Sequence, residues 1–359
     1  MAIEKILEGE GGNHNGEDKL KSSVIPKNEL ASDDFIGVDL RPKILKEYVG
    51  QEEIVASLKT AIKASEARLE PMEHVLFHGP PGLGKTTLAH VIKAEKKTNL
   101  QVTSGPSLER PADIIGLLSN LDNGDILFID EIHRISKGVE EYFYSAMEDF
   151  KVDFVTGSGT FAKSLSFPLK RFTLVGATTR VGMLSSPLRD RFGLTYHLDF
   201  YSIEELSEIV MRSSKILEVN IEKNASFEIA KRARGTPRIA NRLLRRVRDY
   251  FQVNSNEKVI SKDISIKAMK LEGVDGRGLD KLDRQYMTTL VKNYNGGPAG
   301  IEALAATLNE ESHTLMDVVE PYLLKIGLVI RTPSGRKATL DGFRFIGNDP
   351  DSQSQSSMF

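Results

Sequence analysis

The stretch Gly79 to Thr86, GPPGLGKT, constrains this chain more than any other. It has the form G-x-x-x-x-G-K-T, with HVLFH (His74 to His78) before it reading as a short buried strand and TLAHVIKA after it opening a helix. Strand, glycine-rich loop and helix in that order give the pattern a physical meaning. Glycines let successive backbone N–H groups curl around an anion, and the helix N-terminus adds partial positive charge. Lys85 then sits on the outer phosphates and the Thr86 hydroxyl on Mg²⁺. A chance match in a chain of this length is about a one-per-cent event. A strand-to-helix turn that binds nothing therefore loses weight, and the remaining sequence tests the phosphate reading.

The 359 residues, 40% hydrophobic and 27% charged, suit a globular protein with room for two or three domains. No apolar run approaches the length of a membrane span and no charged-then-apolar leader opens the chain, so the expected location is the cytoplasm, without a membrane partner. The absence of cysteine excludes disulfides, thiolate metal sites and a cysteine nucleophile. A net charge of −2 argues against a chain that is basic throughout, but charge is sorted along it. Residues 1–39 carry nine acids and four lysines, whereas Lys231 to Arg248 carries eight basic residues and no acid.

Residues 1–30, polar and glycine-rich, read as a disordered acidic arm. DLRPK (Asp39 to Lys43) leads into an ordered α/β domain taken as residues 31–201, whose first helix between Gln51 and Glu70 places Ile54, Leu58, Ala61 and Ile62 on one face. NLQVTS (Asn99 to Ser104), DILFIDEIH (Asp125 to His133), RFTLVGATTR (Arg171 to Arg180) and TYHLDF (Thr195 to Phe200) read as further strands. Apolar runs without alternation fit a parallel sheet buried on both faces. Lys151 to Phe167 alternates around Gly157 to Gly159, the pattern of a β-hairpin. Residues 202–273 read as a small helical domain. Residues 274–347 give three helices and then LVIRTPSGRKATL, two short strands about a turn, which is the order of a winged helix. Residues 348–359 are a polar tail.

Phosphoryl transfer requires a positioned phosphate, neutralised charge and an oriented water. Ligands of a parallel sheet gather at the carboxyl ends of its strands, where Asp130 and Glu131 emerge. Asp130 is suited to Mg²⁺ and Glu131 to polarising the water; the same two acids can instead cap the next helix. Thr178 and Thr179 are either phosphate contacts or ordinary turn hydroxyls. Arg189 and Arg191 in SPLRDRFG are surface charges or, if one reaches a neighbour's site, a transition-state contact. In the basic run, Thr236 reads as a cap and Pro237 as the first helical residue, with Ile239, Leu243, Leu244 and Val247 buried. Arg238, in the first turn, can face the nucleotide, while Arg242, Arg245, Arg246 and Arg248 form a solvated face; alternatively the whole face attracts nucleic acid or an acidic partner. Arg331, Arg336 and Lys337 fall on or beside the wing, where arginines meet phosphate more often than base edges.

LRPK, YVGQ, GPPGLGKTTLAH, FIDEIHR, MEDF, LVGATTR, SPLRDRFG, ARGTPRIANRLLRRVRDY and VVEPYLLKIGLVIRTPSGR together resemble the AAA+ ATPases, and within them the RuvB family of bacterial Holliday-junction branch-migration motors. The likeness runs from about Asp39 to Gly347. It implies a P-loop AAA+ core, a small α-helical lid and a C-terminal winged-helix head. It further implies ATP and Mg²⁺, a homo-hexameric ring on duplex DNA, and RuvA as partner, with the RuvC resolvase beside it. Carried over by residue, nucleotide contacts fall on Leu40, Arg41, Gly82, Gly84, Lys85, Thr86, Thr87, Tyr201 and Arg238. The resemblance places the trans-acting arginine on Arg191 and the polar sensor on Thr178 or Thr179. It puts a segment close to nucleotide at Glu148, Asp149 and Phe150, the RuvA-docking hairpin around Gly157, and DNA contacts on Arg331 and Arg336. Ser312 stands where many relatives have arginine, and Ser334 where the wing often carries a basic or polar residue; both lower the head's positive charge. The competing readings are a clamp-loader-type switch, which lacks a reason for the head, and a DNA-binding regulator that uses ATP only to assemble.

Overall fold

The computed structural model describes residues 39–156 and 163–347. The arm at residues 1–30, the hairpin tip at Gly157 and the tail at 348–359 lie outside them.

Five strands form one wholly parallel sheet: β1 (Val75–His78), β2 (Leu100–Ser104), β3 (Ile126–Asp130), β6 (Thr173–Thr178) and β7 (Leu194–His197), in the order β2-β3-β6-β1-β7. Val75 lies opposite Val175 on one side and Leu194 on the other, so the strands start and stop nearly level. The apolar runs have no alternation because successive residues enter two different cores. Val75, Phe77, Ile126, Phe128, Val175 and Ala177 pack on one face with helices α1 (Glu52–Arg68) and α2 (Lys85–Lys96). Leu76, Leu127, Ile129 and Leu174 pack on the other, under α3 (Pro111–Ser119) and α4 (Lys137–Glu148). Neither α3 nor α4 is assigned by the sequence reading. TYHLDF is strand only to His197; beyond it the chain crosses to the lid.

Between α4 and β6, β4 (Lys151–Thr156) and β5 (Lys163–Pro168) pair antiparallel as the separate hairpin expected there. A four-residue helix α5 (Ser186–Arg189) precedes β7; Ser185 caps it by accepting from Leu188 N–H at 3.2 Å.

The lid is α6 (Ile203–Ile216), α7 (Lys223–Arg232), α8 (Pro237–Asn254) and α9 (Lys262–Leu271). A reciprocal capping box starts α6: Ser202 N–H donates to Glu205 at 2.7 Å and Glu205 N–H to Ser202 Oγ at 3.2 Å. Ala240, Leu243, Leu244 and Val247 of α8 are buried in the core that also holds β1 and α2, so lid and sheet share apolar packing. Thr236 does precede α8, but its side chain is not the expected cap. Its hydroxyl donates back to Ala233 O at 3.2 Å, closing the α7–α8 turn.

The head has its own core, built on α10 (Lys281–Thr288), which runs on as a π-turn to Asn293, α11 (Ile301–Leu308), and a third helix over residues 312–325. That third helix carries a π-turn at Leu315–Val319. Pro321 accounts for it: proline has no N–H for the carbonyl of Asp317 and its ring crowds that carbonyl. The wing strands β8 (Val329–Thr332) and β9 (Gly335–Ala338) follow.

Two ion clusters orient the head. Arg234, in the α7–α8 turn, lies 2.7 Å from Asp280 and 2.6 Å from the fully buried Asp283, and donates to Gly278 O at 2.8 Å. The same two aspartates cap α10. Arg180, just after β6, reaches Asp317 of the third head helix at 2.5 Å. Truncating one partner of a buried ion cluster leaves the others uncompensated. Arg234→Ala should therefore destabilise the lid–head unit by about 3 kcal/mol or more, read as a fall in the urea midpoint of the far-UV circular dichroism transition; an unchanged midpoint would show that the cluster contributes nothing.

Candidate functional site

The loop after β1 has the backbone its glycines permit. Gly79, Gly82 and Gly84 have φ of +135°, +80° and +103°, a region that side chains other than glycine rarely adopt. A Cβ on Gly79 would stand 2.4 Å from Leu198 O, and one on Gly84 2.7 Å from Tyr48 Oη. The loop is thus wedged between the exit of β7 and the segment before α1. Lys85 is buried, its Nζ donating to Gly79 O at 2.8 Å and Pro80 O at 2.9 Å. Burial lowers its pKa to about 8, against the opposing pull of Asp130 and Glu131. A cation held over peptide carbonyls in a half-dry loop is poised for an anion. Thr86 and Thr87 follow in the first turn of α2, both half-exposed.

Asp130 ends β3 and Glu131 turns into the left-handed region at φ +50°. Asp130 accepts the Glu131 N–H at 2.9 Å. Burial raises the pKa of both acids; proximity to Asp130 raises Glu131 further, while Lys85 lowers both. The Glu131 side chain makes no capping hydrogen bond to the next helical turn. At the end of β6, the buried Thr178 hydroxyl meets His133 Nδ1 at 2.8 Å and accepts Arg180 N–H at 2.9 Å; Thr179 beside it is half-exposed. Among the described residues no three His, Cys, Asp or Glu side chains converge on a metal position. The available donors are hard oxygens, the Asp130 carboxylate and the Thr86 hydroxyl, which fit a Mg²⁺ that keeps waters and takes phosphate oxygens rather than an ion caged by protein.

The lid closes over the same loop. Arg238 N–H donates to Gly82 O at 3.4 Å, and the Arg238 Cβ stands 3.2 Å from where a Gly82 Cβ would be. Its charge is felt at Asp130. Tyr201 is buried, donates to Leu83 O at 3.2 Å and meets Tyr48 Oη at 3.0 Å. Burial pushes the Tyr48 hydroxyl up to about 12 and Tyr201 higher still, so both remain protonated donors. Leu40 is buried and its carbonyl accepts from Arg212 of α6 at 2.7 Å; Arg41 follows, half-exposed.

Arg191 stands elsewhere. It lies three residues before β7, whose first residue pairs with the first residue of β1, and therefore at the amino end of the sheet. Its guanidinium donates to Pro187 O at 2.7 Å and to Glu148 at 3.1 Å, and packs 4.6 Å over the Tyr144 ring. The Phe150 ring meets Phe172 edge-on and lies tilted against His74, residues that precede β6 and β1, and Asp149 pairs with Lys151 at 3.2 Å. At about 3.3 Å per residue, strands of four to six residues separate the two ends by roughly 13–20 Å. Within one chain, Glu148, Asp149, Phe150 and Arg191 thus form one group and Lys85, Asp130, Glu131, Thr178 and Arg238 another.

In the head, both wing arginines turn inward on one carboxylate. Glu320, with 0% exposure, accepts from Arg331 at 2.8 Å, Arg336 at 2.9 Å and the Tyr286 hydroxyl at 2.9 Å. The Arg336 side chain is only 16% exposed and Arg331 48%. This alters the expectation of two equivalent surface cations: Arg336 pins the wing to the third helix, and Arg331 and Lys337 keep most of the outward charge. Ser312 donates to Glu302 at 2.5 Å and Ser334 meets Thr332 at 3.1 Å, so neither adds charge.

Several residues of these clusters carry no signal of their own in the sequence. His133 and Tyr48 sit inside recognised motifs without a spacing that marks them, and Arg180, Arg234 and Glu320 act on partners 34 to 137 positions away or, for the wing, 11 and 16.

Comparison with known proteins follows the same three divisions. Residues 40–198 match the family described as Holliday junction DNA helicase RuvB P-loop domain, 201–275 the RuvB AAA lid domain, and 276–347 the RuvB C-terminal winged helix domain. The chain is 54% identical over 329 residues to the Holliday junction branch migration complex subunit RuvB of Desulfosudis oleivorans, covering 91% of this chain and 95% of that one. It is 56% identical over 314 residues to the protein of the same name from Pseudothermotoga lettingae, covering 88% and 91%. Its fold superposes on the Thermotoga maritima RuvB Holliday junction branch migration motor with a TM-score of 0.79 at 49% identity, covering 86% of this chain and 98% of that one. From the phosphate loop to the wing, the chain belongs to the RuvB family of P-loop AAA+ ATPases.

Proposed function

We propose that this chain is the ATP-hydrolysing motor subunit of a Holliday-junction branch-migration complex, working in the bacterial cytoplasm as one member of a six-subunit ring on duplex DNA. The observation that carries the intersubunit part is the separation of Arg191 and Glu148 from Lys85 and Glu131 at opposite ends of one sheet. A site needing both groups is completed by two copies of the chain.

In this reading Lys85 and the loop N–H groups hold the ATP phosphates, with Gly82, Gly84 and Thr87 shaping the cradle. Leu40, Arg41 and Tyr201 line the nucleotide side, and Arg238 couples the lid to the phosphates. Mg²⁺ on Thr86 and Asp130 supplies charge neutralisation at the phosphate oxygens. Glu131, its basicity raised by burial and by Asp130, orients the attacking water and takes up its proton. Thr178, through its hydrogen bonds, or the more open Thr179, senses the phosphate end. Arg191 of the adjoining subunit stabilises the transition-state charge, with Glu148 holding the guanidinium in place and Asp149 and Phe150 bordering the same face. The β4–β5 hairpin, whose tip includes Gly157, is the docking element for RuvA, and RuvC acts on the same junction. Arg331 meets DNA phosphate, and Arg336 acts by fixing the wing. Grip of this kind is sequence-independent and weakens steeply with salt.

Three outcomes check this. Glu131→Gln should bind ATP normally while turnover falls by about 10²-fold or more and four-way junctions are no longer migrated; full junction migration by this variant would sink the motor reading. Lys85→Met and Arg191→Ala should each be inactive alone but regain part of the ATPase when mixed, because hybrid interfaces pair an intact loop with an intact arginine. Failure of mixing to restore turnover would place Arg191 outside the reaction. Lys85, near pKa 8 in the free chain, regains its charge beside phosphate. Nucleotide binding at about pH 9 should therefore take up most of one proton, measured by calorimetry in buffers of different ionisation heat, and Lys85→Arg should abolish the uptake.

A further inference from the structure

We propose that His133 is a positioning residue that ties the Thr178 end of β6 to Glu131, so that Glu131 is aimed at the water only while Thr178 holds its place. The inference deepens the reading of Glu131 given above and rests on it.

His133 follows Asp130 by three residues, and its ring is turned inward, with a side chain 5% exposed. Its Nδ1 lies 2.8 Å from Thr178 Oγ1 and its Nε2 3.8 Å from Glu131 Oε2. Thr178 Oγ1 accepts the Arg180 N–H at 2.9 Å and retains a second lone pair and its own proton, and we assign that proton to the bond with Nδ1. Nδ1 is then the acceptor, and a neutral ring carries its hydrogen on Nε2, facing the Glu131 carboxylate. Burial and the flanking Arg180 and Arg134 guanidiniums favour that neutral ring.

The 3.8 Å separation exceeds a hydrogen bond. The Glu131 side chain is 40% exposed, so a small rotation closes it. Asp130 fixes the Glu131 backbone from the other side. The carboxylate thus pivots between a solvent-facing position and one set by Nε2–H, and the ring's placement depends on Thr178. A polar ring kept only to satisfy Thr178 would use Nδ1 alone, and the two roles separate by which nitrogen matters.

The test uses the full-length chain with three variants and steady-state ATP hydrolysis. His133→Asn retains a polar atom near Nδ1 and removes Nε2; His133→Gln places an amide N–H near Nε2; His133→Phe fills the space with neither. Asn and Phe should lower kcat about 10- to 100-fold, the range for groups that orient a reacting or ligating side chain, with KM and nucleotide affinity unchanged, and Gln, which restores the N–H facing Glu131 but not the Thr178 contact, should recover only part of the rate. In a Glu131→Gln background, His133→Asn should have no further effect, because the histidine acts through that carboxylate. Wild-type kcat in His133→Asn overturns the proposal, as does an equal loss in both backgrounds, or a KM rise that accounts for the whole defect. Undiminished turnover in Glu131→Gln alone would remove Glu131 from the chemistry and take the proposal with it, a result separate from any His133 phenotype.

Discussion

Every strand of the central sheet points the same way, and the chemistry of the chain depends on that polarity. Parallel pairing sends each strand's carboxyl end, with its following loop, to one edge, so the phosphate loop, Asp130 and Thr178 converge without being near in sequence. The opposite edge receives what precedes the strands: His74, Phe172 and the approach to β7 that carries Arg191. An arginine there cannot serve its own loop. The separation of the two groups within one chain is thereby a property of sheet topology rather than of a flexible linker.

The lid meets the sheet through shared apolar packing, and the head is joined to the lid by charges placed where water is scarce. Arg234 joins the α7–α8 turn to the start of α10, and Arg238, four residues on, lies against the phosphate loop. The turn therefore touches both the site and the head. Tyr201 N–H donates to Gly235 O within the same turn at 2.9 Å, and Lys325 of the head lies 4.2 Å from the Phe200 ring. A change of loop geometry has a short, packed route to the wing, whose own arginines converge on Glu320.

The sheet, the loop, the hairpin and the helical order of the head were legible because each rests on local pattern: unbroken apolar runs, positive-φ glycines, amphipathic spacing. The helix over 312–325 was legible except for its π-turn, which needs the effect of Pro321 on Asp317. Thr236 shows the limit of position alone, since a hydroxyl at a cap site bonded backward to Ala233 instead. Glu148 and Phe150 were placed by resemblance beside a nucleotide, yet which end of the sheet they occupy follows only from the run of α4 antiparallel to β3.

The sequence by itself determined that a strand, a glycine-rich loop and a helix follow one another from His74 through Thr86, that two acids leave a buried strand nearby, and that a winged helix follows the lid. Those features are contiguous and carry their physics within a few residues. Tertiary structure decided which side chains share a site: His133 with Thr178 and Glu131, Arg191 with Glu148, Arg331 and Arg336 with Glu320. These partners are brought together by strand register and helix packing across tens of residues, and burial then sets their charge. No local pattern encodes that distance.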